Sequence, residues 1–368
     1  MAQTTSTTCR WGILGAAFIA RKNWQSILDA GNATLIAVAS RELAKAQAFI
    51  DECQAQVPHP VQPEALGSYE ALLERPDIDA VYIPLPTGIR KEWVLRAVRA
   101  GKHVLVEKPV GCDAAEVEEI LAACAERGVQ FMDGVMFMHG QRLQQMRSAV
   151  DREVGPVRHI ATQFSFFGDE AFTRANIRTH GTLEPLGCLG DLGWYCLSFT
   201  LWAMAEATPR RVTGRLHAEA GQGGGAPSVP LAFSGTLEFD QGVSASFYCS
   251  FHAAHAQWAI ISGEKGLLQL ADFVLPYAET APAFSVTKSD FSVDGCRSDM
   301  RAGRESHSSD EPANNAPGSQ ESALFADFST LVLTGQHEPR WGQISLLTQR
   351  VLDACLRSAR ADGASIAL

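Results

Sequence analysis

A glycine-containing turn follows the first apolar run of the chain, residues 11–14, and could hold a phosphate. Gly15 and Ala17 stand where a dinucleotide fingerprint, G-x-G-x-x-G/A, places its first two small residues. Gly15 suits a tight turn, whereas Ala17 lets the backbone approach a pyrophosphate slightly less closely. A helix starting at Phe18 and Ile19 would offer its first amides to the phosphate. The turn predicts a dinucleotide site; the alternative is a tight turn in an α/β domain that binds no nucleotide.

The second predicted strand, residues 34–39, ends at side chains that could distinguish NADP from NAD. Ser40 and Arg41 can hydrogen-bond a phosphate, and Arg41 adds a permanent positive charge. NAD enzymes usually carry an acidic residue there for the ribose 2′-hydroxyl, and Glu42 is such a competitor one residue later. Arg41 could also be an ordinary exposed residue at a helix start. We expect NADP(H), with NAD as the other possibility.

A lysine follows the predicted strand at residues 103–106, within Glu107-Lys108-Pro109. Ligands of open parallel sheets bind outside the carboxyl ends of the strands, so Lys108 could reach a substrate carbonyl there. Spacing alone slightly favours the other interpretation, in which Lys108 is a solvated loop lysine.

Asp191 and Tyr195 are four residues apart at the start of a predicted helix and would share one face. A carboxylate and a phenol on one face could hold and protonate a polar substrate. Asp191 as a helix N-cap with Tyr195 in the core is an equally good interpretation.

Short apolar strands alternate with longer helices in the first third of the chain. This alternation predicts right-handed βαβ units, a parallel sheet and an α/β fold, with the first domain over residues 1–138. The predicted strands are 11–14, 34–39, 80–83, 103–106 and 129–132, and the predicted helices are 18–30, 43–53, 69–74, 89–100 and 114–127.

Consecutive strands replace this alternation after about residue 155, and they predict a second, α+β domain over residues 139–368 with a large, mainly antiparallel open sheet. The closing helix, 344–361, should pack on a core. Residues 220–230 are expected to form a glycine-rich loop, and the polar residues 294–320 a mobile surface insertion. The predicted strands are 157–167, 211–217, 231–239, 243–251, 258–262 and 267–270, and the other predicted helices are 193–205 and 321–333.

An open antiparallel sheet has two faces, and few helices remain in the second domain to cover the outer one. We therefore expect a homodimer or homotetramer built through this sheet.

Composition excludes several classes of function. The 368 residues carry a net charge of −10 and no basic cluster, which argues against nucleic acid as a partner. No apolar run approaches the roughly 20 residues of a membrane span. The first ten residues lack an apolar signal core, and nine cysteines without a C-x-x-C pair suit a reducing cytoplasm.

The histidines show no metal spacing. His252 and His255 would face opposite sides of a strand, and no metal is expected. The chain has no G-x-S-x-G motif and no P-loop, which disfavours acyl and phosphoryl transfer.

Five stretches together resemble the Gfo/Idh/MocA oxidoreductases, the glucose–fructose oxidoreductase and inositol dehydrogenase family. Gly-Lys-His-Val followed by Glu-Lys-Pro is highly specific for that family, and Leu-Gly-Trp-Tyr at 192–195 resembles its trans-dihydrodiol dehydrogenase branch. The resemblance covers essentially the whole chain and is carried by residues 12–20, 37–41, 81–87, 100–109 and 187–195.

The resemblance implies an N-terminal Rossmann dinucleotide-binding domain and a C-terminal α/β domain whose sheet often forms a dimer face. It also implies that Lys108 is catalytic and that Asp191 and Tyr195 line the substrate pocket, where we also place Arg178 and Trp194. The predicted cofactor site is completed by Pro84, Leu85, Pro86, Thr87, Glu107 and Lys108 itself.

The chain departs from the family at two of its positions. Thr87 replaces the usual Asn, which alters contacts on the nicotinamide side, and Arg90 replaces a frequent His, which leaves an anionic substrate possible.

These features lead to one main hypothesis, an NADP(H)-dependent oxidoreductase that acts on a small polyhydroxy or diol substrate such as a sugar or cyclitol. Tyr195 would be the general acid/base and Lys108 its electrostatic partner, with the proton donor of the pair left open. A nucleotide-binding sensor without turnover is the first alternative, against which Lys108 and Tyr195 argue. A glycosidase with bound NAD is the second alternative, against which Arg41 argues.

Overall fold

The computed structural model describes residues 8–221 and 227–368, so part of the predicted glycine-rich loop and of the chain start lie outside the described residues. The chain divides into two compact units, each assembled from separate stretches of sequence. The first contains Met1–His139, Thr182–Pro185 and Asn314–Gln349, and the second contains Gly140–Gly181, Leu186–Ala313 and Arg350–Leu368. The assignment of a cofactor domain to 1–138 and a substrate domain to 139–368 stays a prediction.

The first unit contains a six-stranded parallel sheet of order β3-β2-β1-β4-β5-β6. This is the strand order of a dinucleotide-binding fold, and the order reverses between β1 and β4, where ligands bind. The strands are β1 Cys9–Leu14, β2 Ala33–Ala39, β3 Glu64–Leu66, β4 Ala80–Ile83, β5 His103–Val106 and β6 Phe131–Asp133. The helices between them are α1 Phe18–Asp29, α2 Leu43–Gln56, α3 Tyr69–Leu73, α4 Thr87–Arg99 and α5 Ala114–Arg127.

Local sequence signals explain these elements. All four residues of β4 are buried, as expected for a parallel strand that is covered on both faces. Helix α5 begins after Asp113, whose carboxylate accepts from the amide of Glu116, and ends at Gly128, which has φ +62°. Trp11 of β1 is fully buried and donates from Nε1 to Oγ of Ser329 at 3.0 Å. A helix from the far end of the sequence thus completes the core of the first unit.

The second unit contains a nine-stranded sheet of order β14-β13-β12-β11-β7-β10-β9-β8-β15. Its β7 and β10 run parallel, and the other neighbouring pairs are antiparallel, which confirms the predicted mainly antiparallel sheet. The strands are β7 Val157–Phe167, β8 Arg211–Ala220, β9 Val229–Glu238, β10 Ser244–Ser250, β11 His252–Gly263, β12 Leu267–Leu270, β13 Ala283–Asp294, β14 Arg297–Ser308 and β15 Ile366–Ala367.

The described residues contain five further α-helices: α6 Gln141–Ala149, α7 Glu170–Ala175, α8 Trp194–Ala203, α9 Gln320–Thr334 and α10 Arg340–Arg360. Helix α9 belongs to the first unit, and α10 begins in the first unit and ends in the second. Val351, Leu352 and Cys355 of α10 are fully buried at the helical spacing read from the sequence. Among the described residues, no helix is long and apolar enough to cross a membrane.

The prediction of a mobile insertion over residues 294–320 is wrong for much of that stretch. Strand β14 pairs antiparallel with β13 along its whole length, from Ala283 opposite Ser308 to Asp294 opposite Arg297. Gly295, with φ +60°, stands in the two-residue turn between the strands. The outer part of this hairpin is exposed on both faces, and Met300 is the only large apolar residue of β14, so β14 lacks the apolar alternation that reveals a half-buried strand. Backbone pairing with β13 defines β14, and that pairing leaves no periodic signal in the sequence of β14.

Candidate active site

The turn after β1 has the backbone conformation that its sequence predicts. Gly15 has φ +125°, and a Cβ at this position would lie 2.9 Å from Cδ2 of Leu85. The turn is held by the amide of Gly15, which donates to the carbonyl of Ala39 at 2.9 Å. Helix α1 then begins at Phe18 with no side-chain cap from Ala17, so its first amides can serve an anion instead. This turn fits the pyrophosphate of a dinucleotide.

A cavity of about 380 Å³ opens beside this turn in the first unit. It is bounded by the ends of β1, β2 and β4, which meet where the strand order reverses. Its lining consists of Gly15, Ala16, Ala17, Arg21, Ser40, Arg41, Glu42, Lys45, Ala48, Phe49, Glu52, Tyr69, Pro84, Leu85 and Pro86. The cavity therefore brings together most of the residues predicted to bind the cofactor at the ends of β1, β2 and β4. Phe18 and Ile19 are not part of this lining: Phe18 is 84 % exposed and Ile19 is half-buried.

Ser40 and Arg41 both line the cavity. The amide of Ser40 donates to the carbonyl of Leu66 at 3.0 Å, which orients the loop, and Arg41 is exposed at the start of α2. Glu42, the acidic competitor, accepts from Nζ of Lys45 at 2.7 Å. The acidic side chain is thus partly neutralised by its neighbour, which leaves the wall suited to a phosphate.

Tyr69 is a cavity residue that sequence reasoning missed. Burial raises the pKa of its phenol, while the charge of Arg41 and a hydrogen bond with it act to lower that pKa. Tyr69 begins α3 directly after Ser68, whose hydroxyl accepts from the amide of Ala71. The N-cap Ser68 is the sequence signal that predicts the start of α3. It does not show that Tyr69 of this helix lies next to Arg41.

The loop after β4 carries Thr87, the first residue of α4. Its amide and hydroxyl donate to the two carboxylate oxygens of Glu184 at 3.2 and 2.6 Å. Glu184, which sequence reasoning also missed, belongs to the first unit although it is 97 positions away. No local pattern could have paired these residues.

The loop after β5 carries Glu107 and Lys108. The hydroxyl of buried Tyr82 donates to Oε1 of Glu107 at 2.6 Å, and a Cβ at Gly134 would approach the same oxygen to 3.2 Å. Burial, followed by the negative charge of Glu107, raises the pKa of Tyr82 well above its ordinary value. Lys108 is half-buried at the carboxyl edge of the sheet and is joined to Pro109 by a cis peptide bond. This placement differs from that of a fully solvated loop lysine.

In the second unit, Asp191 lies within a π-helical turn, Leu189–Gly193, that continues directly into α8. The residue before this turn, Cys188, is already helical with φ −64°. The helix therefore begins before Asp191 and before residue 193. The interpretation of Asp191 as a helix N-cap and the predicted helix start at residue 193 are both wrong. π-helical turns are frequent at functional sites. Asp191 accepts from Nε of Arg178 at 2.8 Å, and its side chain is 18 % exposed.

Tyr195 follows one helical turn after Asp191. It is 7 % exposed, and its ring packs edge-on against Phe164 with centroids 5.7 Å apart. Trp194 beside it is completely buried. The structure therefore brings Arg178 and Asp191 into direct contact, while a substrate contact of Trp194 stays a prediction.

A group of possible metal ligands, Glu153, Glu305 and His307, also lies in the second unit, with its ligand atoms within 4.8 Å of one another. Exposed acidic groups commonly cluster without an ion. The expectation that this protein binds no metal therefore stays a prediction.

The Gly15 turn, the adjoining cavity and the strand order define a dinucleotide-binding protein of the Rossmann type. The chain belongs to the Gfo/Idh/MocA oxidoreductase family. Residues 9–135 match the model of the oxidoreductase family with an NAD-binding Rossmann fold, and residues 143–269 match the model of the GFO/IDH/MocA C-terminal domain.

Three relatives illustrate the range of the family. A trans-1,2-dihydrobenzene-1,2-diol dehydrogenase of Bos taurus is 32 % identical, over 72 % of this chain and 74 % of its own length. A D-xylose 1-dehydrogenase (NADP(+)) of Haloferax volcanii is 33 % identical, over 75 % of this chain and 77 % of its own. A 3-ketoreductase from Actinomadura kijaniata, whose crystal structure is in complex with NADP and TDP-benzene, is 27 % identical in sequence. Its structure matches with a TM-score of 0.78, and the match covers 95 % of this chain and 98 % of that one.

These matches confirm three expectations from the sequence: the family, the fold class and an oxidoreductase activity.

Proposed function

We propose that this enzyme uses NADP(H) to transfer a hydride between the nicotinamide and a hydroxyl-bearing carbon of a sugar, cyclitol or diol. The observation that carries the proposal is the cavity beside Gly15, which Ser40 and Arg41 also line. A pyrophosphate suits the amides of α1, and a 2′-phosphate suits the Arg41 wall. The relatives that name NADP, and those that name a sugar or a diol, support the same cofactor and substrate class.

Tyr195 is the proposed general acid/base, with Lys108 as its electrostatic partner. The nicotinamide, when bound, supplies or accepts the hydride, so the protein must provide orientation, charge and the proton. A free tyrosine titrates near pH 10, and a nearby cation lowers that pKa toward neutral pH by favouring the phenolate. Packing of Tyr195 against Phe164 orients the phenol. Lys108 can also donate directly to the substrate oxygen as negative charge builds there.

Asp191 is the proposed substrate-binding carboxylate. Its hydrogen bond from Nε of Arg178 orients it, and it would accept from a substrate hydroxyl or from Lys108. A carboxylate is suited to polyhydroxy substrates because it accepts hydrogen bonds from several hydroxyl groups.

We further propose that the enzyme is cytoplasmic and forms a homodimer or homotetramer through the sheet of the second unit. All nine cysteines are free, although Sγ of Cys188 and Sγ of Cys249 lie only 4.0 Å apart, which suits a reducing compartment. Phe167 of β7, 70 % exposed, is an apolar contribution to an open sheet. Light scattering at micromolar concentration tests the assembly, and a monomeric mass would contradict it.

The test of the reaction is a screen of sugars, cyclitols and diols with NADP and with NAD. We expect a net change in the reduced-nicotinamide absorbance with at least one substrate, larger with NADP. Product formation without net absorbance change would instead identify a redox glycosidase. Cofactor binding without turnover on any substrate would identify a sensor.

A further inference from the structure

Arg90 is a buried arginine in the first turn of α4, and it is only 3 % exposed. Nε donates to the carbonyl of Leu85 at 2.9 Å, and Nη1 donates to Oγ1 of Thr87 at 3.2 Å and to the carbonyl of Pro109. A buried guanidinium is unfavourable unless it is hydrogen-bonded and paired. The carboxylates of Glu184 and Glu107 supply the opposing negative charge.

The three acceptors of Arg90 belong to two different loops. Leu85 and Thr87 lie in the segment after β4, whereas Pro109 follows Lys108 in the loop after β5. The guanidinium is planar and presents its donors in a rigid fork. One side chain therefore fixes the backbone beside Lys108 against the start of α4. We call the contacts of Arg90 with Leu85, Thr87 and Pro109 the Arg90 bridge.

Glu184 also contacts the Arg90 bridge, through Thr87. Thr87 donates its amide and hydroxyl to this carboxylate, so the hydroxyl links Glu184 to Arg90. Next to it, the amide of Gly88 donates to the carbonyl of Leu183 at 2.9 Å. A Cβ at Gly88 would lie 2.0 Å from the carbonyl oxygen of Thr182, so this approach requires glycine. The first turn of α4 is thereby fixed on two sides.

We propose that Arg90 is a positioning residue for the reaction, which holds the Lys108 loop in register with the loop after β4. The proposal rests on the catalytic role proposed for Lys108. A lysine amine sits on a flexible stem, so the geometry of its backbone anchor decides where the amine can reach. Arg90 does not itself touch the reacting atoms. Its burial and the opposing charges of Glu184 and Glu107 reduce the positive charge that it presents to a substrate.

The test compares Arg90→Met with Arg96→Met as a matched control. Arg96 lies on the same helix but is partly exposed and pairs with Glu70 and Glu92. We expect Arg90→Met to lower kcat by about 100-fold, since a misplacement of about 1 Å can have that effect. The Kd for NADP should rise far less than kcat falls, although Leu85 and Thr87 belong to the predicted cofactor site, and the pH profile of kcat should shift because Lys108 is displaced. Arg90→Lys should recover part of kcat, and Arg96→Met should match the wild type.

A second readout does not depend on activity. Hydrogen exchange of the amides at residues 107–112 should become faster in Arg90→Met and stay unchanged in Arg96→Met. If exchange at 107–112 stays unchanged in Arg90→Met, or if an active enzyme keeps its kcat and pH profile in that variant, the proposal is wrong. A wild type that turns over no sugar or diol would contradict the proposed function, while the exchange experiment would still decide whether the bridge exists.

Thr87 supplies a milder pair of variants in case Arg90→Met does not fold. Thr87→Val removes the hydroxyl that links Glu184 to Arg90, and Thr87→Ser retains it. We expect faster exchange at 107–112 and lower kcat in Thr87→Val, with both recovered in Thr87→Ser. Equal exchange and equal kcat in the two variants would overturn the proposal.

Discussion

Arg178 donates from Nε to Oδ2 of Asp191 at 2.8 Å, so two residues assigned to the substrate from sequence form an ion pair with each other. Asp191 is held within the π-helical turn, whereas Arg178 comes from the short 3₁₀ helix Ile177–Thr179. The arginine side chain is 41 % exposed, so the pair is partly screened by solvent. Its main effect is to orient Asp191, the carboxylate that we propose binds the substrate.

Arg178→Met should weaken substrate binding more than it slows the chemical step. A partly exposed ion pair contributes up to about 1 kcal/mol, which corresponds to roughly a fivefold change in affinity. We expect KM for the substrate to rise by about that factor, with kcat and KM for NADP little changed. Steady-state kinetics measures this, with Arg174→Met as the control, because Arg174 is exposed and pairs only locally with Glu170. A large loss of kcat with unchanged KM would contradict a role in orienting Asp191 for substrate binding.

Arg41→Ala should reduce the preference for NADP over NAD. Loss of a charge-assisted hydrogen bond to the 2′-phosphate corresponds to a loss of affinity of about ten- to hundredfold. KM for NADP should rise by that factor while KM for NAD barely changes. Arg99→Ala, on the last turn of α4, is a suitable control. Equal effects of Arg41→Ala on the two cofactors would show that Arg41 is not the discriminating residue.

Tyr69→Phe should have a smaller effect in the same direction. Arg41 acts to lower the pKa of the Tyr69 phenol, so the guanidinium interacts with that hydroxyl, and removal of the hydroxyl frees the guanidinium to sample other orientations. The net contribution of one hydrogen bond is about 1 kcal/mol, so we expect KM for NADP to rise roughly fivefold. The ring packs edge-on against Trp93, a contact that phenylalanine retains. In Arg41→Ala, the further change Tyr69→Phe should then have no effect, and an additive effect would argue against coupling.

Tyr195→Phe should lower turnover by about 10²–10⁴ while NADP binding persists. The phenol is nearly buried, so removal of only its hydroxyl retains the packing against Phe164. Lys108→Ala should reduce turnover at least as much. Rates and cofactor fluorescence titrations over pH 6 to 9 make the measurement. If Tyr195→Phe retains near-normal turnover across that range, Tyr195 is a pocket wall and Lys108 acts without it.

Stability should fall in mild acid because His103 is held neutral. Burial lowers the pKa of His103, the charge of His337 adds to this, and Nδ1 accepts from the amide of Gln130 at 2.9 Å. In the unfolded chain this histidine has its ordinary pKa of about 6.5. In acid the unfolded chain therefore binds more protons than the folded chain. The free energy of unfolding is therefore highest above pH 6.5 and decreases from there down to the folded pKa.

Urea unfolding between pH 5 and 8 measures this slope. His103→Asn keeps an acceptor for Gln130 and should flatten the slope. It should not remove the slope, because burial also lowers the pKa of His59. Exposed His252→Asn should leave the slope unchanged. An identical slope in His103→Asn and the wild type would contradict the assignment.

The parallel sheet and its cofactor turn could be predicted from the sequence because their signals are local. Five of the six strands of the first unit are short apolar runs followed by a turn, and ligand-binding residues of this fold stand at strand ends. Strand β3 is three residues long, has no buried residue and is missing from the predicted strands. Gly15, Ser40, Arg41 and Lys108 are therefore placed by counting along the chain. Position relative to a strand end is independent of how distant segments pack.

Only the tertiary structure decided which distant residues complete these local elements. Glu184 contacts Thr87 across 97 positions, and Trp11 contacts Ser329 across 318. The strand β14 is set by backbone pairing to β13, and the helix that carries Asp191 begins earlier than its side chains suggest. Such contacts arise from chain closure and burial, which leave no period in the sequence. The residue types therefore determined which chemistry is available, and the packing determined which partners orient it.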